Sequence, residues 1–273
     1  MSIFDIMKLS MRKILLHIGT FKTGTTSFQH WFNEHLNVIY ATTGVRWHQG
    51  QYPDSREIAA ICLDPHKETP AMVYGFFPPR FSSEWFTWAA EVRANIQREI
   101  ESSNDPIFFS CEALCLLRTD SELERLKELF PADRTHIIVT LRDPKDFLSS
   151  WRKHLRQDFY RESKDPTSFA YVKKDSWLTD YEELHNAYLK HYGEHITTIN
   201  YERAIALNGS IIPALASTFH AGQQPLPEWS NFFLNQGNRP PRKPIKGLAR
   251  PAHYIRFYLW RISIAVKNTI HRP

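Results

Sequence analysis

The residues of this sequence best suited to chemistry are a lysine set between two glycines and an arginine that ends an apolar run. Residues 19–26 read Gly-Thr-Phe-Lys-Thr-Gly-Thr-Thr. Gly19 and Gly24 permit a tight turn, Lys22 adds a fixed positive charge, and the hydroxyls of Thr23, Thr25 and Thr26 add short donors. Ahead of a helix N-terminus, such a loop aims its backbone N–H groups at an anion. A loop of the ATP-binding kind places lysine directly after the second glycine, with Ser or Thr next to hold magnesium. Here Thr25 occupies that place and the lysine precedes Gly24 by two residues, which weakens a kinase or NTPase reading. The plain alternative is a Gly- and Thr-rich turn with no ligand. The second stretch, Arg142-Asp143-Pro144, follows the apolar run HIIVTL. An arginine at a strand end is suited to bidentate contact with a phosphate. Pro144 is a natural first helical residue, and Ser150 follows two turns on, about 12 Å along the axis. Taken alone, Arg142 could equally form a surface pair with an aspartate.

Strands alternating with helices must position these residues. Lys13–Ile18 (KILLHI), Pro106–Cys111 (PIFFSC), His136–Leu141 (HIIVTL) and His195–Asn200 (HITTIN) read as strands. Helices are predicted from Thr25 to about Leu36, near Arg56–Cys62, over 82–103, over 120–130 with Asp120 as the cap, from Pro144, over 177–191 and over 210–219. The rest of 37–81 reads as irregular, and 223–244 as a proline-rich loop ahead of a helical tail. The pattern implies an α/β fold with three layers, a central parallel sheet flanked by helices, whose ligands sit at the carboxyl ends of the strands.

The 273 residues hold 34 Lys plus Arg against 29 Asp plus Glu, a formal net charge of +5. Nine of the basic residues lie between Arg239 and Arg272, and no acidic residue follows Glu228. The other 25 basic residues face all 29 acidic ones, so the body is mildly acidic with a basic tail. That distribution argues against a nucleic-acid-coating protein. Three cysteines, Cys62, Cys111 and Cys115, do not suggest a disulfide framework, and the single CxxxC pair is a poor zinc site. Asp5, Lys8 and Ser10 break any apolar core of a signal peptide, and no stretch reaches the ~20 apolar residues of a spanning helix. His17 reads as a core residue, as does the Trp85, Phe86 and Trp88 cluster.

Together, HIGTFKTGTTS and, about 120 residues later, LRDPKDFLSSW resemble the two nucleotide-binding signatures of the sulfotransferases that use 3′-phosphoadenosine 5′-phosphosulfate (PAPS). The N-terminal phrase looks closest to bacterial members that act on carbohydrates or other small acceptors. The resemblance implies a P-loop-like fold. It implies that Lys22, Thr23, Gly24, Thr25 and Thr26 hold the 5′-phosphosulfate, and that Arg142 and Ser150 hold the 3′-phosphate. ITTINYER similarly implies that Tyr201 lies near the adenine. The expected product is 3′-phosphoadenosine 5′-phosphate (PAP). A sulfuryl group carries one fewer negative charge than a phosphoryl group, so its transfer needs no divalent metal, and Lys22 would stabilise the leaving phosphate.

The acceptor must lose a proton as it attacks, so a base is expected within reach. Glu112 follows PIFFSC directly, at the same sheet edge as both anion motifs, in the place where cytosolic members carry a catalytic histidine. His48, in Val45-Arg46-Trp47-His48, is the rival, since other branches place an acidic base after the phosphate-loop helix. Acceptor-binding loops are expected at 44–80 and 155–176. The resemblance further implies a basic C-terminal loop that closes the nucleotide site; Arg239, Arg242 and Lys243 stand in that region without a residue-by-residue match. One domain over 1–250 carries, as an appendage, a basic aromatic helix over 251–273. Residues 251–270 offer packing on the body, a homo-oligomer contact or an anionic membrane surface. The expected location is cytoplasmic, with peripheral contact at the inner membrane face. A P-loop small-molecule kinase and a non-catalytic membrane-associated adaptor are the competing functions.

Overall fold

Ile14–His17 form the central strand, β1, and all four residues are buried, as befits a parallel strand covered on both faces. The computed structural model describes residues 13–220 except 49, 53 and 159, together with 225–229 and 232. The chain divides after Gln236, and every described residue lies in the first unit, Met1–Gln236. Arg239, Arg242, Lys243 and the basic aromatic segment 251–273 lie outside the described residues.

The remaining strands are β2 (Arg46–Trp47), β3 (Ile107–Ser110), β4 (Thr135–Leu141) and β5 (Ile196–Asn200). All pair in parallel, in the order β2-β3-β1-β4-β5. The helices are α1 (Thr25–Glu34), α2 (Leu36–Thr43), α3 (Arg56–Cys62), α4 (Pro70–Val73), α5 (Ser83–Glu101), α6 (Asp120–Leu129), α7 (Pro144–Gln157), α8 (Tyr181–Tyr192), α9 (Tyr201–Asn208) and α10 (Ile212–Ala216). Alternation along the strands sorts them into layers. Leu15, Phe108 and Ile138 meet Phe28, Trp31 and Phe32 of α1 and Leu215 of α10 on one face. Leu16, Phe109 and Val139 meet Ile96 of α5, Leu126 of α6, Trp151 of α7 and Tyr188 of α8 on the other. The three-layer α/β architecture with a central parallel sheet is therefore present.

The differences from the sequence reading are local. Residues 37–81 are more ordered than expected. α2 follows α1 after a break at His35, buries Ile39 and ends at Gly44 in the left-handed conformation. β2 is two residues long, too short for any periodicity to reveal. Thr119, rather than Asp120, caps α6: its side chain accepts from the Glu122 N–H while Glu122 accepts from the Thr119 N–H, a capping box. Asp120 is thereby left to bind His191 (3.0 Å) and Lys190 (2.6 Å). Residues 177–179 form a 3₁₀ turn, and α8 starts at Tyr181 behind an Asp180 cap. Trp85 is core, but Phe86 is 59% exposed. Among the described residues no helix is long and apolar enough to cross a membrane.

Candidate active site

From β1 the chain runs to β2 on one side of the sheet, and from β4 it runs to β5 on the other. Adjacent strands whose connections diverge leave a crevice at their carboxyl ends. The loop of Lys22 leaves β1 and the loop of Arg142 leaves β4, so both anion motifs open on that crevice.

Beneath it lies a neutral polar layer. His17 is fully buried, bonded to Ser110 Oγ (3.0 Å) on β3 and Thr140 Oγ1 (3.1 Å) on β4. Burial pushes its pKa down to about 3, so it is the satisfied core residue expected. A Cβ on Gly19 would fall 2.5 Å from His17 Nε2, which explains the first glycine of the loop. Thr20 continues the pairing to β4 through its N–H (2.9 Å) and hydroxyl (3.1 Å), both donated to the Thr140 carbonyl.

The loop above it is locked from within. Thr23 Oγ1 donates to the Thr20 carbonyl (2.7 Å) and lies 3.3 Å from Thr25 Oγ1. Gly24 begins α1 at φ 75° with no side-chain cap. The first N–H groups of a helix have no carbonyl a full turn back to reach, and the N-cap, a glycine, offers them no side chain. Lys22 is also left-handed, at φ 67°, a conformation costing an L-residue about 1–2 kcal/mol. Arg142 braces it: Nη1 donates to the Lys22 carbonyl (2.8 Å). The same guanidinium lies 5.0 Å from the centre of the Tyr201 ring and 3.8 Å from Glu202. The Tyr201 ring also packs at Gly24, where a Cβ would sit 3.7 Å from it. Lys22, Gly24, Arg142 and Tyr201 thus form one connected group. Thr26 is exposed on the first turn of α1. Ser150 is partly buried on α7, placed by its neighbour Trp151, which stacks on Phe21 of the loop at 4.4 Å.

Glu112 opens a 3₁₀ turn, Glu112–Leu116, directly after β3. Burial, followed by the charge of Asp54, raises its pKa to about 7 against the pull of Lys22, Arg56 and a hydrogen bond with Thr25. It is therefore a carboxylate that can exchange a proton near neutral pH beside the loop lysine. Arg118, six residues on and of the charge to pair with it, is turned to Glu183 (3.8 Å). Burial also holds Lys22 below the ordinary lysine range, assisted by Arg142 and Lys153 and opposed by Glu112 and Asp158.

His48 is drawn elsewhere. It is buried against Phe109 (4.5 Å), with Nδ1 2.5 Å from Glu99 and Nε2 3.8 Å from Glu57. Burial opposes its charge, but the two carboxylates outweigh burial and raise its pKa to about 9. An imidazolium clamped between α3 and α5 has no free lone pair for an acceptor. Its folded pKa lies above the ordinary value of about 6.5, so its stabilising effect is complete below that pH and fades as pH rises through about 9. Urea midpoints should accordingly fall between pH 6.5 and pH 10 in the wild type, and less steeply in His48→Gln.

No protein-family model matches the chain, and no curated protein matches it either. Among solved structures it is similar to a sulfotransferase from Alicyclobacillus acidocaldarius, with a TM-score of 0.51 over 80% of this chain and 85% of that one at 13% identity. The fold is that of a sulfotransferase. A sulfotransferase domain from the curacin biosynthetic pathway gives a TM-score of 0.44 at 12% identity, covering 78% of this chain and 75% of that one. Retinol dehydratase in complex with retinol and PAP gives 0.33 at 16%, covering 81% and 64%.

Within this sulfotransferase fold several residues near Lys22 and Glu112 escaped the sequence reading. Asp54 sits in the segment taken as irregular and Arg56 at the start of the short helix expected near Arg56–Cys62, where no motif marks either of them. His154, on α7, is held below the ordinary histidine range by burial and then by Lys22, with Asp158 opposing. Its spacing from Asp158, four residues, is the signal that could have found the pair (3.4 Å).

Proposed function

We propose that this protein transfers a sulfuryl group from PAPS to a hydroxyl or amine of a carbohydrate, glycolipid or other small acceptor, with no metal. The observation that carries the reading is the bond from Arg142 to the Lys22 carbonyl. It joins two anion motifs, 120 residues apart, at one crevice beside a carboxyl group that titrates near neutrality.

The residues present fit such a donor. The Arg142 Nε is buried without a hydrogen-bond partner, and α1 opens without a side-chain cap. Lys22, Thr23, Gly24, Thr25 and Thr26 would hold the phosphosulfate end, and Arg142, Ser150 and Tyr201 the 3′-phosphoadenosine end. When bound, the nucleotide supplies the sulfuryl group and a phosphate leaving group. Glu112 takes the acceptor proton. Lys22 meets the negative charge that develops on the leaving oxygen. His48 holds α3 to α5 in this reading and leaves the base role to Glu112. In this reading the enzyme works in the cytoplasm, and a homo-oligomer contact or a peripheral membrane contact through residues 251–270 stays open.

One observation separates this from a kinase. Thr25, which stands where ATP-type loops carry their lysine, is 1% exposed, with its hydroxyl engaged by Thr23 and Glu112. Thermal shift with PAP, ADP and ATP, each with magnesium or with EDTA, tests the reading. PAP at 100 times its Kd should add about 2.7 kcal/mol, roughly 5–10 °C for a domain of this size, unchanged by EDTA. Stabilisation by ATP that EDTA abolishes would instead establish a kinase, and no response to any nucleotide would leave an adaptor.

A further inference from the structure

Three non-glycine residues among those described have left-handed backbones: Lys22, Ser55 (φ 47°) and Phe81. Such residues persist where the surroundings over-determine them, and they gather at working sites. Ser55 is buried and stands just before α3. Residues two apart do not face each other on a helix, yet the turn at Ser55 brings Asp54 and Arg56 into a two-bond fork. Arg56 Nε donates to Asp54 Oδ1 (2.7 Å) and Nη2 donates to Oδ2 (2.6 Å). The guanidinium is packed against the rings of Phe76 (4.7 Å) and Tyr52 (5.3 Å). Tyr52 in turn donates its hydroxyl to the Phe76 carbonyl (2.8 Å), which ties that wall together. α3, which Arg56 opens, packs on the 3₁₀ turn that Glu112 opens.

We propose that the Asp54–Arg56 fork is a positioning element for Glu112, holding one negative and one positive group together against its carboxyl. The proposal rests on the reading of Glu112 as the base. The charges and hydrogen bond that act most on Glu112 come from Lys22 of the phosphate loop, Thr25 of α1 and the fork, whose helix α3 packs on the turn that carries it. Lys22, Thr25 and Arg56 favour the carboxylate, and Asp54 alone among these opposes it. Were Arg56 free of Asp54, it would turn its donors on Glu112 and fix it as a spent ion pair, a poor proton acceptor. By occupying two of those donors, Asp54 keeps Glu112 basic enough to work near neutral pH. Arg56, kept charged by Asp54 despite its burial, prevents the opposite failure, a carboxyl that stays protonated.

The two halves of the fork therefore have effects of opposite sign, which a merely structural role would not produce. Full-length protein labelled with 13C at the glutamate carboxyls would be titrated by NMR, with the Glu112 signal assigned by its loss in Glu112→Gln. Asp54→Asn should lower the Glu112 midpoint by about one pH unit, and Arg56→Gln should raise it by a similar amount. Arg56→Lys keeps the charge and one of the two bonds to Asp54, and should lie between wild type and Arg56→Gln, so the sign remains testable if the glutamine variant does not fold. Midpoints that stay in place, or that move in the same direction in the Asp54 and Arg56 variants, overturn the proposal. Turnover of Glu112→Gln is read separately: an active variant removes the base role, whereas the titrations judge the fork.

Discussion

Glu112→Gln is expected to lower turnover by about 10²- to 10⁴-fold, the usual worth of a positioned proton acceptor, while PAP affinity stays within a few-fold. The substitution keeps the size of the side chain and its ability to meet Thr25, and removes only the capacity to accept a proton. In the wild type, kcat/KM should rise with pH through about 7, where Glu112 becomes ionised, and Glu112→Gln should lose that limb. A glutamate in water titrates near 4.3, so an acidic limb near that value would mean that another carboxylate governs the rate. The acceptor for this assay comes from incubating labelled PAPS with extracts of the native host. Near-normal turnover in Glu112→Gln would pass the role to another group, with His154, the imidazole that burial keeps neutral beside Lys22, as the first to examine.

Removal of Lys22 should be nearly as damaging, about 10²- to 10³-fold in kcat, if its charge stabilises the leaving phosphate. The left-handed backbone at Lys22 allows charge and conformation to be separated. Lys22→Ala loses the ammonium and keeps the strain. Lys22→Gly loses the ammonium and relieves the strain, and should be at least as stable as wild type, by about 0.4–1 kcal/mol on the unfolding midpoint after the entropy of the unfolded glycine is included. Both variants should be inactive to a similar degree. Recovery of activity in the glycine variant alone would show that the loop needs the shape and not the cation.

The strands and the two anion motifs were legible because their signals are local. KILLHI and HIIVTL are apolar runs bounded by residues that cannot continue them, and each motif lies within ten residues of its strand. The order of the strands across the sheet has no local signal, yet it decides that Lys22 and Arg142 meet. The base was a choice between Glu112 and His48 in sequence, the one directly after the strand PIFFSC and the other after the phosphate-loop helix. Their partners differ: Glu112 looks toward Lys22 and Thr25, and His48 toward Glu57 and Glu99, which is why the proposal rests on Glu112. Arg56 was hidden for another reason. Its role depends on a single left-handed serine, and serine, unlike glycine, does not advertise that conformation.

The bond between Arg142 and the Lys22 carbonyl spans 120 residues, and the bonds from His17 to its two partners span 93 and 123. Each is a long loop that must close before the contact exists, and topologies dominated by such contacts form slowly. During synthesis the lysine loop and its helix emerge more than a hundred residues before the strand that braces them. The braced conformation of the loop therefore cannot exist on the nascent N-terminal half, and the brace on Lys22 forms only after β4 has joined β1. If the chain binds PAP as proposed, capture is a property of the finished sheet, and the number of PAP sites per chain then doubles as a measure of how much of a preparation has completed its fold.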